Sequence, residues 1–338
     1  MTSPASTSPV ADKRVDLRIF AWLSIVAAVI TITLKTGAWV MTDSVGLLSD
    51  AAESTVNLVA AVVALIALTV AARPATERFL YGRAKAEYFS AAVEGLMIFV
   101  AAAVIMVTAV ERFINPRPLE NLGIGLVIVV IASLINGGVS LVLLRAGKQH
   151  NSITLRADGK HLMTDVVTSA GILVGVGLVA LTGWERLDAL VAFAVGVNII
   201  VTGIGLLGEA ISGLLDKALP EADHEIITEI LRRRTDGTIT FHGLQTREAG
   251  QQKYMNVHVL VPDEWTVKRG HDYIEGLEDE LCRCLPDLTV LTHLEPISDP
   301  ASYADIPEQH VPIHGDDHDS TRPPSGEPGG LLHPDTAT

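Results

Sequence analysis

Apolar residues gather into six long runs, at 17–41, 45–71, 89–114, 121–144, 161–183 and 187–208, with short polar connections between them. An α-helix needs ~20 residues to cross a bilayer, so six spans is the simplest count. Beyond residue 216 the pattern changes. Residues 221–234 have amphipathic helical spacing, opened by Pro220-Glu221 and closed by Arg232, Arg233 and Arg234, whose charges suit the C-terminal end of the helix dipole. Alternating apolar positions then predict strands at 238–247 and 254–262 around a turn at Gly250. A helix at 266–285 stops at Pro286, and a third strand runs 288–295. The order αββαβ predicts a small open sheet with both helices on one face. From residue 299 Pro, Gly, Asp and His dominate, no core can form, and a disordered tail is expected.

Composition sharpens this division. The mean hydropathy of the 338 residues is +0.37, too high for a soluble domain, and the net charge of −14 is unevenly placed. Residues 1–215 hold 15 basic and 15 acidic side chains, whereas 216–338 hold 10 and 24. A neutral apolar front and an acidic back exclude a single globular fold, a nucleic-acid binder and a disulfide-stapled secreted domain. The two cysteines, Cys282 and Cys284, read as reduced thiols in a cytosolic compartment. The first run is too long for a signal-peptide core, no clear small-residue cleavage site follows it, and five further runs come after.

Basic residues orient the chain. Lys13, Arg14, Arg18, Arg73, Arg78, Arg83, Lys85, Arg145, Lys148, Arg156 and Lys160 fall on one side, and Arg112, Arg117 and Arg186 on the other. The positive-inside bias places both termini in the cytoplasm. The expected organisation is a cytoplasmic segment at 1–16, a six-helix membrane domain at 17–212, a cytoplasmic α+β domain at 216–298 and the tail at 299–338.

An ionisable side chain at mid-bilayer depth costs ~3 kcal/mol or more unless it faces partners or water. The second run nonetheless carries Asp50, Glu53 and Asn57, with Glu53 and Asn57 one helical turn apart on one face. The fifth run opens with Asp158, His161 and Asp165, the last two again at i and i+4. Facing turns of this kind supply one imidazole nitrogen and several oxygens, a mixture suited to a borderline divalent metal. The two pairs meet only if the fifth helix begins near Ser152, making the polar stretch from Ser152 to Lys160 a helix end buried in protein. Lys35 and Glu94 are further charges within the spans that either pair or reach toward an interface.

In the acidic third, His242 and His258 lie on adjacent strands, His271 on the second helix, and His293 two residues from Glu295 on the last strand, hence on its face. In the tail, His310, His314 and His318 interleave with Asp316, Asp317 and Asp319. Weak metal attraction and simple solvation both account for that segment.

The stretch Ser44-Val45-Gly46-Leu47-Leu48-Ser49-Asp50-Ala51-Ala52-Glu53, the loop Tyr81-Gly82-Arg83-Ala84-Lys85-Ala86-Glu87 and the stretch Ala157-Asp158-Gly159-Lys160-His161-Leu162-Met163-Thr164-Asp165 together resemble the cation diffusion facilitator family of divalent-metal efflux proteins, over residues 17–297. The resemblance implies a homodimer in the lipid bilayer, with six spans per protomer, a ferredoxin-like cytoplasmic domain and metal/proton exchange. It maps the transport site to Glu53, Asn57, His161 and Asp165, where the family usually has His or Asp at the first position and Asp at the second. It maps His242, His258, His271, His293 and Glu295 to a two-metal site at the dimer interface, and Lys85 with Asp216 to a charge pair locking the protomers. Thr76, Phe79 and Arg83 stand where some members carry an Asp and two His, so no metal is expected in that loop.

As substrate, Zn2+ comes first on ligand chemistry, then Fe2+, with Mn2+, Co2+ and Cd2+ behind, and H+ as counter-ion. A bacterial-type inner membrane is the expected location. No prosthetic group or enzymatic role is expected, since there is no recognisable Ser or Cys nucleophile and no His-Glu-x-x-His run. The alternative is a non-transporting membrane metal sensor or scaffold that binds metal at its cytoplasmic domain.

Overall fold

The structure, a computed structural model, describes residues 16–42, 45–115, 122–184 and 186–304; Asp50 and Glu53 lie on a described helix, but their side chains fall outside the described residues. The chain divides into two compact units, Met1–Leu215 and Asp216–Thr338.

The first unit contains α1 (Arg18–Thr42), α2 (Val45–Ala71), α3 (Ala86–Ile114), α4 (Leu122–Gln149), α5 (Ile153–Thr182) and α6 (Arg186–Leu214). All six are long and apolar enough to cross a membrane. α1, α2, α4 and α5 pack as one group, and α3 and α6 form a close pair that touches it through α5 and α2. Lipid tails are as apolar as leucine, so contact between helices depends on close backbone approach at small residues. At Gly95 of α3 an added Cβ would stand 3.2 Å from the backbone nitrogen of Leu207 on α6, and Ala91, Ala102 and Ala210 beside it are fully buried. Between α4 and α5 the fit is tighter, with a Cβ at Gly147 falling 2.8 Å from the nitrogen of Arg156 and one at Gly159 falling 2.9 Å from Leu144 Cγ.

The start of α5 departs from the hydropathy profile and meets the condition set by the sequence. The apolar run begins at residue 161, yet the helix begins at Ile153, with Ser152 Oγ capping it by accepting from the Leu155 N–H at 3.4 Å. Residues 152–159 are buried apart from partly exposed Arg156. Several of their polar groups bond to other helices: Ser152 Oγ donates to Glu87, Thr154 Oγ1 to the Glu87 carbonyl at 3.3 Å, and Ser140 Oγ to the Gly159 carbonyl at 2.7 Å.

The second unit contains α7 (Glu221–Arg234), β1 (Thr240–Ala249), β2 (Gln252–Val261), α8 (Val267–Cys284) and β3 (Leu288–Pro296). Strand order is β1-β2-β3, with β1 antiparallel and β3 parallel to β2. Met255, Val257 and Val259 share one face of β2 and pack with Ile227, Ile230 and Leu231 of α7 and Leu277 and Leu281 of α8. Both helices thus cover one face, as αββαβ order predicts, and the architecture is six membrane helices plus an α+β ferredoxin-like domain. Ordered structure continues past residue 299. Pro300–Tyr303 form a 3-10 turn in which Ser302 is buried, and the Tyr303 hydroxyl donates to the Ile297 carbonyl at 2.9 Å. Residues 1–15 and 305–338, including His310, His314 and His318, lie outside the described residues.

Candidate metal centres

α2 and α5 bring three of the four predicted transport-site residues into one hydrogen-bonded group. His161 Nε2 lies 2.8 Å from Asn57 Oδ1, and the Asn57 amide nitrogen donates to Asp165 Oδ2. The second bond fixes which way the amide points, so Oδ1 accepts and Nε2 of His161 carries the hydrogen. Nδ1 then holds the lone pair and has no hydrogen-bond partner among the described residues. Asn57 and His161 are 3% and 4% exposed, whereas Asp165 is half-buried. The fourth residue, Glu53, sits one turn before Asn57 on α2, its side chain outside the described residues.

A residue absent from the sequence-based set joins this group. Asn136, buried on α4, donates from Nδ2 to the same Asp165 oxygen at 3.4 Å. A single amide within an otherwise apolar span was the available signal. On the other side of His161, Asp158 is 1% exposed, accepts from Ser24 and acts electrostatically on the imidazole. Asp158 also acts on Glu94 of α3, which is fully buried.

The cytoplasmic unit assembles its group by strand register. His242 pairs with His258 across β1 and β2, and His258 with His293 across β2 and β3, so three imidazoles stand in a row on the face opposite the helices. Glu295, two residues on from His293, reaches back to them. His242 Nε2 is 3.0 Å from Glu295 Oε2 and 3.2 Å from His258 Nδ1, and Glu295 Oε1 is 3.2 Å from His258 Nδ1 and 3.3 Å from His293 Nδ1. A β-bulge after His242 shapes the row. Gly243 there has φ of +62°, and a Cβ on it would touch the His258 ring at 3.6 Å. Ligand atoms of His242, His258 and Glu295 lie within 4.8 Å of one another. Two imidazoles and a carboxylate at that spacing fit Zn2+ or a similar ion, with His293, 63% exposed, at the open edge.

His271 is not brought into this row. It lies exposed on α8, which covers the other face, with its ring 3.8 Å from Glu275. Tyr303, also unforeseen, sets its ring edge-on to His242 at 5.7 Å between centroids. Burial and the nearby Glu295 carboxylate push its phenol up, so it stands neutral beside the imidazoles. Lys85 Nζ donates to the Leu214 carbonyl at 3.2 Å within the membrane unit, and Asp216 accepts from Arg247 at 3.0 Å within the cytoplasmic one. In the loop after α2, Thr76 and Phe79 form a bridge, with the Arg83 guanidinium 4.4 Å from the Phe79 ring centre. Partial burial, then Glu278 and Asp279, push the Cys282 thiol up, consistent with an unreactive sulfur.

Six long apolar helices, a polar group buried where two of them meet, and a separate imidazole-carboxylate row define an integral membrane protein that handles divalent metal. Comparison with known proteins agrees. Residues 21–215 match the cation efflux transmembrane domain, and residues 219–297 match the cytoplasmic domain of cation efflux proteins. The chain belongs to the cation efflux, or cation diffusion facilitator, family of divalent-metal efflux transporters. It is 51% identical over 286 residues to an uncharacterized transporter of Synechocystis sp., covering 85% of this chain and 92% of that protein. To the cation-efflux pump FieF of Citrobacter koseri it is 30% identical over 275 residues, 81% and 90% of the two chains, and to FieF of Salmonella arizonae 29% identical over 273, 80% and 90%.

Proposed function

We propose that this chain, as a homodimer, exports Zn2+ in exchange for protons, with Fe2+ the next substrate by ligand chemistry. The observation that carries the reading is the meeting of Asn57 with His161 and Asp165 inside the helix bundle. Glu53, Asn57, His161 and Asp165 form the transport site, and Asn136 holds Asp165. A metal taking the Nε2 lone pair moves the imidazole hydrogen to Nδ1, which then needs an acceptor, and the Asp158 carboxylate acts on that ring. Metal and proton compete for the same lone pairs, so a site facing the cytoplasm takes metal once an imidazolium or carboxyl proton has left it, and that proton is the one given up. Facing outward, it takes protons back and releases the metal. Movement of the α3/α6 pair against the other four helices supplies alternating access.

The basic loops support placing both termini in the cytoplasm of a bacterial-type inner membrane. His242, His258, His293 and Glu295 would hold a resident metal, whose chemistry there is to bind imidazole and carboxylate donors together. His271 joins from the facing protomer, and Lys85 with Asp216 helps to lock the dimer. The test is transport by purified protein in proteoliposomes against Zn2+, Fe2+, Mn2+, Co2+ and Cd2+, with Glu53→Asp and Asn57→Asp beside the wild type. Zn2+ should be carried fastest and both variants should change the rank order. An unchanged order in both removes these positions from the site.

A further inference from the structure

The buried acid Glu94 is used by none of the steps above. Its side chain is fully enclosed on α3, and among the described residues only Ser90 Oγ, at 3.3 Å, donates to it and Oε2 has no hydrogen-bond partner. Among the described residues the charged group acting on it is another carboxylate, Asp158 of α5, which is also buried and whose Oδ2 has no hydrogen-bond partner among them. The helices packed against α3 are α6, α5 and α2. On α6, Glu209 is engaged by Arg156 at 2.6 Å and Lys160 at 3.6 Å, which occupies the nearest basic side chains of α5. On α2 the ionisable residues are Asp50 and Glu53, both acids. On α3 itself Glu87 accepts from Ser152. Two enclosed carboxylates of this kind are tolerated only when a cation neutralises them; the His161 imidazole acts on Asp158, and among the described residues no basic group acts on Glu94. Ligand atoms of Glu94, Asp158 and His161 do not fall within 4.8 Å of one another, which is too open for a metal as it stands. A proton needs no such convergence.

We propose that Glu94 carries a proton exchanged for the metal, at a place separate from the metal ligands. Glu94 lies eight residues into α3 and His161 eight residues into α5, each ~12 Å from its helix start at 1.5 Å per residue, so the two stand at matching depth. When a dication enters the enclosed bundle, its positive charge drives the proton off the Glu94 carboxyl, leaving the carboxylate. When the metal leaves on the other side, that carboxylate takes one proton from the exterior.

The inference rests on the antiport reading, and the test separates the two. Protons released on adding Zn2+ to the purified dimer are counted with a pH indicator in weak buffer, for wild type and Glu94→Gln. Metal binding at the cytoplasmic row is common to both and cancels. Glu94→Gln should release about one proton fewer per protomer, with metal affinity within threefold of wild type. Equal release from the two proteins overturns the role of Glu94 while leaving antiport intact. A wild type that carries Zn2+ in proteoliposomes without moving protons overturns antiport and this inference together. If Glu94→Gln fails to fold, infrared difference spectra of wild type decide. A protonated-carboxyl band lost on Zn2+ addition, and shifted in Glu94→Asp, supports the assignment, and no band, or one unmoved in Glu94→Asp, overturns it.

Discussion

Asn136 tests whether the group around Asp165 works as a unit. Replacing it with Leu keeps an apolar span apolar and removes one of the two amide donors on Asp165 Oδ2, leaving the Asn57 donor in place. A hydrogen bond to a charged group contributes ~1.5–3 kcal/mol, and the 3.4 Å separation places this one at the low end. A loss of ~1.5 kcal/mol corresponds to about a tenfold fall in kcat/KM for metal. Uptake into proteoliposomes under a fixed pH gradient measures it, with Ser133→Ala as control, because the Ser133 hydroxyl bonds back to the Val129 carbonyl of its own helix. Asn136→Leu should lose about tenfold and Ser133→Ala less than twofold. A twofold or smaller loss in Asn136→Leu would show that Asp165 needs no support from α4, and equal losses in both would show a general disturbance of the helix.

Three further outcomes follow from local geometry. Gly159→Ala puts a Cβ 2.9 Å from Leu144 Cγ and 3.1 Å from its backbone nitrogen; overpacking of ~1–3 kcal/mol should lower the thermal midpoint, which scanning fluorimetry reads, and an unchanged midpoint would deny the tight α4–α5 contact. Gly243→Val forces a β-branched residue to φ of +62° beside the His258 ring, and at ~1–3 kcal/mol of strain calorimetry should find Zn2+ bound about tenfold more weakly at the cytoplasmic row, with transport-site binding unchanged. Glu280 is held below the usual carboxylate range chiefly by its hydrogen bond from Arg234, with Arg233 adding to it. Its contribution to stability is therefore present above the unfolded carboxylate value of ~4.3 and lost as pH falls through the lowered folded value. Glu280→Gln should lower stability at neutral pH and flatten its fall in acid, so that the two proteins converge below about pH 4, and a parallel shift at all pH values would contradict this.

The fold was legible where burial acts through simple periodicity. The αββαβ order and the α7 boundaries follow from apolar alternation, helix spacing and turn residues such as Gly250 and Pro286. Hydropathy alone misplaces the start of α5, because the stretch from Ser152 to Lys160 is polar and is buried against Glu87 and Ser140, which belong to other helices. The requirement that Asn57 meet His161 pointed to the earlier start. Asn136 and Tyr303 escaped notice because each acts through a tertiary contact, with Asp165 across helices and with His242 after the last strand, that no local pattern encodes. In the cytoplasmic unit the row of His242, His258 and His293 was half visible. Alternation indicates the face, but only the register of β2 with both neighbours makes the three direct partners. His271 has the right chemistry and lies on the helix side of its own sheet.

The central claim is that Asn57, His161 and Asp165 hold the exported metal and that protons move the other way. The most direct measurement records Zn2+ flux and internal pH together in proteoliposomes containing wild type, His161→Ala or Asp165→Ala. Wild type should move protons opposite to Zn2+, and each variant should lose both fluxes while remaining a folded dimer. Wild-type-like Zn2+ transport by either variant, or wild-type Zn2+ transport with no accompanying pH change, would contradict the account.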